Sequence, residues 1–156
     1  MIKVEHIDES SQLGQSLSKY IKYCDTSVEI VTHLPGAKQR TTSDYFDTIS
    51  DDIPVALDQK SLSVPLTKED RVDIVGVIAG LYPKHSVSIS GRFLYAPGCY
   101  MGWHTNSNTP CKRIYLTYVP ESNKSFFRYR YNGKIETSYD QAGWTLRTFD
   151  IDKEDL

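Results

Sequence analysis

Apolar residues along the chain fall into two helical stripes, followed by a long run of strand-like alternation. After Ser10-Ser11, either of which can cap a helix, Leu13, Leu17, Tyr20 and Ile21 recur at the spacing of a single helical face. A second stripe follows Thr67-Lys68-Glu69-Asp70, close to a capping box with Asp70 in place of the usual Glu or Gln. There Val72, Val75, Ile78, Ala79 and Tyr82 line one face, and Pro83 ends the run. Both helices read as packing elements. Between them, residues 28–34 form a strand candidate, and a loop-like stretch rich in Pro, Gly, Ser, Thr and Asp runs from Pro35 to about Pro65. A loop of that length is long for a compact domain, and reads either as a lid or as short structure without a periodic signal.

From Ser86 onward the pattern is β. A first strand is expected over 86–96, ending at a Pro97-Gly98 turn. Arg113 to Val119 alternates, with Ile114, Leu116 and Tyr118 on one face and Arg113, Tyr115 and Thr117 on the other. Residues 126–131 and 134–139 flank Asn132-Gly133, the preferred pair for a type I′ hairpin turn. A last strand is expected from about Trp144 to Ile151. Helices followed by four or five antiparallel strands make the fold α+β, with a jelly roll or open sandwich as the natural architecture. The 156 residues suit one domain, with a helical or lid portion over 1–85 and a β portion over 86–156.

Composition narrows the function classes. Hydrophobic residues at 39% and charged residues at 24% indicate a globular chain. The formal charge of -2 gives no basic surface for a dedicated nucleic-acid module. No apolar stretch reaches the ~20 residues of a membrane span, and the N-terminus has no signal-peptide core. Cys24, Cys99 and Cys111 are odd in number and form no CxxC pair. Free thiols in a reducing cytoplasm are the simplest account, and a cysteine-based zinc site is disfavoured. The 11 tyrosines fit half-buried strand positions, although tyrosine can also line a polar pocket.

The chemistry-bearing stretch is Gly98-Cys99-Tyr100-Met101-Gly102-Trp103-His104-Thr105-Asn106-Ser107, followed by Arg113-Ile114-Tyr115-Leu116. On an extended chain His104 and Asn106 point the same way, so both can reach one metal ion. Non-haem iron oxygenases place two His and one carboxylate on one face of Fe(II) and leave the other positions open. Arg113 is suited to hold a carboxylate in a bidentate pair, or else is a charge on an edge strand. Tyr95 and Tyr115 offer hydroxyls to the same ligand, or pack. Arg128 and Arg130 share a face with Phe126 and read as a basic or simply solvated face. His85 reads as a surface residue.

The stretch from about Gly91 to Ile151 resembles the 2-oxoglutarate/Fe(II)-dependent oxygenase superfamily, especially the small hydroxylase-like proteins of tailed phages. The resemblance rests on Gly91-Arg92-Phe93-Leu94-Tyr95, on Gly102-Trp103-His104-Thr105-Asn106, and on the Arg113-Ile114-Tyr115 strand. It extends to Ser125-Phe126-Phe127 and Gly143-Trp144-Thr145-Leu146-Arg147. It implies a double-stranded β-helix (jelly roll) under N-terminal helices, with Fe(II) and 2-oxoglutarate as cofactors. It further implies His104 and Asn106 as metal ligands, and Arg113, Tyr115 and Tyr95 as the oxo-acid site.

Two departures stand out. Asn106 occupies the place of an Asp or Glu, and no histidine follows His104. By the family pattern the distal His and the strand after it are missing at the C-terminus. The expectation is therefore an incomplete jelly roll in the host cytoplasm, completed by a homodimer or a companion chain at that edge. A non-catalytic β-sandwich binding or virion-associated module derived from the same fold is the alternative. A cupin-like protein with another metal is a third reading. No catalytic triad, phosphate-cradling Gly loop or paired acid and base carboxylates point to a hydrolase or kinase.

Overall fold

A computed structural model describes residues 2–23, 59–63, 66–100 and 110–151, with side chains from 96 to 100 and at 23 and 59–63 left aside. Among the described residues the architecture is α+β: two helices with small antiparallel sheets. The chain falls into two compact units, one of residues 1–24 and 105–156, the other of residues 25–104.

The first unit begins with β1 (Lys3–His6) and α1 (Gln12–Ser18), followed by a short 3-10 turn over Ile21–Tyr23. Ser11 caps α1 by accepting from the Gly14 N–H at 3.0 Å. The helix buries Gly14 and Leu17, and Tyr20 just beyond it is buried too. The helix itself ends at Ser18, so Ile21 carries the apolar stripe into the 3-10 turn instead of a further α-turn.

The strands of this unit match the expected alternation closely. β4 (Cys111–Val119) and β7 (Gly143–Ile151) pair antiparallel over their whole lengths, and β1 pairs with the other side of β7, giving the order β1-β7-β4. β1 was not foreseen: its four residues are all exposed, so it carries no apolar signal and is held by the ladder alone. β5 (Phe126–Tyr131) and β6 (Lys134–Tyr139) form the expected hairpin, with positive φ at both Asn132 (50°) and Gly133 (72°), as a type I′ turn requires.

Register tells which faces meet. Arg113 lies opposite Phe149, Tyr115 opposite Arg147, and Thr117 opposite Thr145, so these six share one face of the sheet. The Tyr115 ring meets Phe127 of β5 edge-on at 5.4 Å and Phe149 at 5.3 Å, and Arg147 bonds Ser138 of β6. That face is therefore turned to the hairpin, and sheet and hairpin form two layers. The opposite face carries Leu116 against Leu146 and Tyr118 against Trp144. Among the described residues Ile7, Leu17, Tyr20, Val119, Trp144, Leu146 and Ile151 are the buried apolar set of this unit.

The second unit holds β2 (Gln59–Ser63), α2 (Lys68–Leu81) and β3 (Phe93–Tyr100). The Thr67 hydroxyl caps α2, accepting from the Asp70 N–H at 3.1 Å, as the sequence anticipates. Of the expected apolar face, Ile78 is buried, whereas Val72 is 63% exposed.

Two strand expectations need correction. Residues 86–92 are not a strand: β3 begins only at Phe93 and runs through Pro97-Gly98 instead of turning there. The ladder absorbs the Pro-Gly pair by slipping. Ser61 is opposite Tyr95 and Gln59 opposite Tyr100, so five steps of β3 match two of β2. Proline has no N–H to give the ladder, and a bulge is where a sheet tolerates it. β2 itself lies inside the stretch expected to be a loop. The remainder of that stretch and the strand expected over 28–34 lie outside the described residues. Among the described residues no helix is long and apolar enough to cross a membrane.

Candidate functional site

Of the five residues expected to build the site, His104 and Asn106 lie outside the described residues, so the expectation that they share a strand face is neither met nor overturned. Arg113 and Tyr115 are placed together, two residues apart on the hairpin-facing side of β4. Tyr95 belongs to the other unit, on β3, where it is 42% exposed with its ring 6.2 Å from that of Phe93.

The neighbourhood of Arg113 and Tyr115 is the interlayer space between sheet and hairpin. Both are half-buried. Arg113 faces the Phe149 position across the ladder, while Tyr115, Phe127 and Phe149 form a three-ring cluster with centroid separations of 5.3 to 5.9 Å. Edge-to-face rings at such spacings are mutually attractive through their quadrupoles. The tyrosine thus has a packing role here whatever its hydroxyl does.

Sequence reasoning missed a densely bonded polar group of this unit. Arg147 Nη1 donates to Asp140 Oδ1 at 2.6 Å, and Nε and Nη2 donate to Ser138 Oγ at 3.2 and 3.0 Å. Nη2 also donates to the Ser138 carbonyl, and the guanidinium lies 5.8 Å from the Phe127 ring centre. Asp140 Oδ2 accepts from the Ser125 hydroxyl, and its backbone bonds both Asn123 and Ser125. The motif Gly143-Trp144-Thr145-Leu146-Arg147 therefore ends in a buried, paired cation. The signal available was a charged residue at an inward position of the strand, between Thr145 and Phe149 on that face and opposite Tyr115.

Other polar groups are ordinary. Lys112 and Asp150, directly opposed on β4 and β7, pair at 2.8 Å on the surface. Cys111 is a free, half-buried thiol, and His85 is exposed with its ring edge-on to Tyr82. Asp8 Oδ1 accepts from both the N–H and the hydroxyl of Ser10 at 2.8 Å, and the hydroxyl first, the backbone bond second, hold its carboxyl below the usual aspartate range. Among the described residues no group of three or more His, Cys, Asp or Glu side chains could hold a metal ion.

No family model matches the chain, and no match is found among curated proteins or solved structures.

Proposed function

We propose that the chain is a jelly-roll protein of the 2-oxoglutarate/Fe(II) hydroxylase kind, with His104 as a metal ligand and Arg113 as the holder of an oxo-acid carboxylate. The observation that carries this reading is the position of Arg113. It stands half-buried on the inward face of β4, the strand that directly follows the Gly102-Trp103-His104-Thr105-Asn106 segment. A guanidinium there can grip a carboxylate with two parallel N–H bonds. Tyr115, on the same face, lends its ring as a wall. The two-layer arrangement of sheet and hairpin is compatible with part of a jelly roll. His104 and Asn106 would hold Fe(II), which supplies dioxygen activation when bound. Arg113 would orient the co-substrate, and the aromatic cluster would keep water away from it.

The donor set tests the fit. Two protein donors, one of them a neutral amide, hold Fe(II) less firmly than two His and a carboxylate. Metal binding by the chain alone is therefore weak, and the substrate to be hydroxylated is a molecule distinct from the oxo-acid. The experiment is a Co(II) titration followed by visible absorption, together with conversion of 2-oxoglutarate to succinate. Metal-dependent spectra lost in His104→Ala, and 2-oxoglutarate binding weakened in Arg113→Lys, are expected. Metal binding unchanged in His104→Ala would end this reading.

A second reading is favoured by one observation. The interlayer space near Tyr115 holds the Arg147–Asp140–Ser138 network and three packed rings. A β module whose interior is built for rigidity is suited to binding through its surface rather than to chemistry inside. Absence of any metal or oxo-acid binding, with the fold intact, is the outcome that this alternative predicts.

A further inference from the structure

The second unit contains a recess of about 170 Å³ lined by Arg71, Ile89, Ser90, Gly91, Arg92 and Phe93. We propose that this recess binds the phosphate group of a small ligand through the guanidinium groups of Arg71 and Arg92. The inference does not depend on the oxygenase reading.

Three observations carry it. First, two arginines line one small hollow, and neither makes a side-chain hydrogen bond or ion pair among the described residues. Of the three carboxylates within two residues of Arg71, Asp70 and Asp73 have interactions of their own. Second, Arg92 Nη1 is shut off from solvent and has no hydrogen-bond partner. An oxyanion entering the recess therefore meets the Arg92 guanidinium through its other nitrogens, in charge-assisted bonds. Third, the size fits. A recess of this volume is smaller than the ~300 Å³ at which drug-sized pockets begin, yet has room for several water-sized groups at roughly 30 Å³ each.

The floor is shaped for the purpose. The Phe93 ring lies so close over Gly91 that a Cβ there would stand 2.5 Å from Phe93 Cε2. Glycine lets the ring fold back and form a wall. Half of Phe93 remains exposed, at 50%. An apolar wall beside two cations lowers the local dielectric and strengthens the charge-assisted bonds. Two positive charges complement a phosphate dianion better than a single carboxylate, which sets the ligand class.

The test is a titration of the full chain with inorganic phosphate at constant ionic strength, followed by amide and arginine Nε–H correlation spectra. Saturable shifts at Ser90, Gly91, Arg92 and the Arg92 side chain are expected in the native protein. Arg92→Met should abolish them, and Arg71→Gln, at an exposed position, should weaken binding about tenfold, the equivalent of one charge-assisted hydrogen bond. Should Arg92→Met fail to fold, Arg92→Lys keeps the charge and loses the two-pronged geometry. It is expected to bind phosphate more weakly than the native chain. Shifts that stay linear in phosphate, or that are the same in Arg71→Gln as in the native chain, overturn the proposal. An equal saturable response to acetate overturns the assignment to phosphate.

Discussion

Arg147 on β7 and Asp140, seven residues before it, form an ion pair of 2.6 Å in which the two side chains are 1% and 4% exposed. Asp140 sits just beyond the end of β6, so the pair ties the hairpin to the sheet. Desolvating two charges consumes most of what their attraction gains, and the benefit is specificity of layer placement more than raw stability. Removing one partner is another matter, because the remaining charge is stranded. Asp140→Ala is expected to destabilise by about 3–5 kcal/mol in chemical denaturation. The double variant Asp140→Ala/Arg147→Met should be less destabilised than Asp140→Ala alone. Strict additivity of the two changes would mean that the pair does not join the layers.

The hairpin turn gives a sharper local test. Gly133 has φ of 72°, where a β-branched side chain clashes with its own backbone. Gly133→Val is expected to cost more than ~1 kcal/mol by thermal or chemical melting. Asn132→Gly, at φ 50°, should stay within about 1 kcal/mol of the native chain, since glycine accepts that conformation freely.

Three helical glycines should respond in opposite directions. A Cβ at Gly14 of α1 would stand 2.2 Å from the Asp8 carbonyl oxygen, which is backbone and cannot swing aside. Gly14→Ala is therefore expected to destabilise by ~1–3 kcal/mol, outweighing the helix-propensity gain. At Gly76 and Gly80 of α2 nothing lies within 4 Å of a new Cβ. Alanine there should stabilise by roughly 0.5–1 kcal/mol, because only the propensity term operates. Differential scanning of the three variants distinguishes these signs.

Asp8 provides a pH test with a definite direction. Its carboxyl is held below the ordinary value near 3.8 by the Ser10 hydroxyl and N–H. A group so depressed adds stability above its unfolded pKa, and that contribution is lost as pH falls through the lowered folded value. Ser10→Ala removes the larger of the two bonds. The Asp8 titration, followed by carbon NMR of the carboxyl, should then move back up toward the ordinary value. An unmoved titration would assign the depression to some other group.

The elements that could be read from sequence are those whose signal is local. The Asn132-Gly133 turn, the Thr67 and Ser11 caps, and the alternation over Arg113–Val119 each depend on a few neighbouring residues, and each is found in place. The mistakes share the opposite cause. β1 is four exposed residues that are a strand only because β7 lies alongside, and β2 is a strand because β3 does. Pro97-Gly98 has the composition of a turn, yet tertiary pairing carries the chain straight through it. Val72 keeps the helical spacing of its stripe but faces solvent, since periodicity reports what a face could bury and not what is there to cover it. Within the candidate site, the shared face of Arg113 and Tyr115 was legible from the period of two. The partnership of Arg147 with Asp140 was not, because no short-range pattern links a strand residue to the loop before it.

The sheet order β1-β7-β4 has a consequence for how the chain is made. His6 is the Cα partner of Thr145 and Lys3 of Thr148, so well over a hundred residues separate the two members of that ladder. β1 leaves the ribosome well before its partner β7, because β1 precedes it in the chain. Closing so large a loop is entropically slow, and topologies dominated by such distant pairings fold late. The hairpin of β5 and β6, by contrast, can zip as soon as Tyr139 is exposed. Local pairing therefore favours early closure of the β5–β6 hairpin, and the distant β1–β7 ladder closes late.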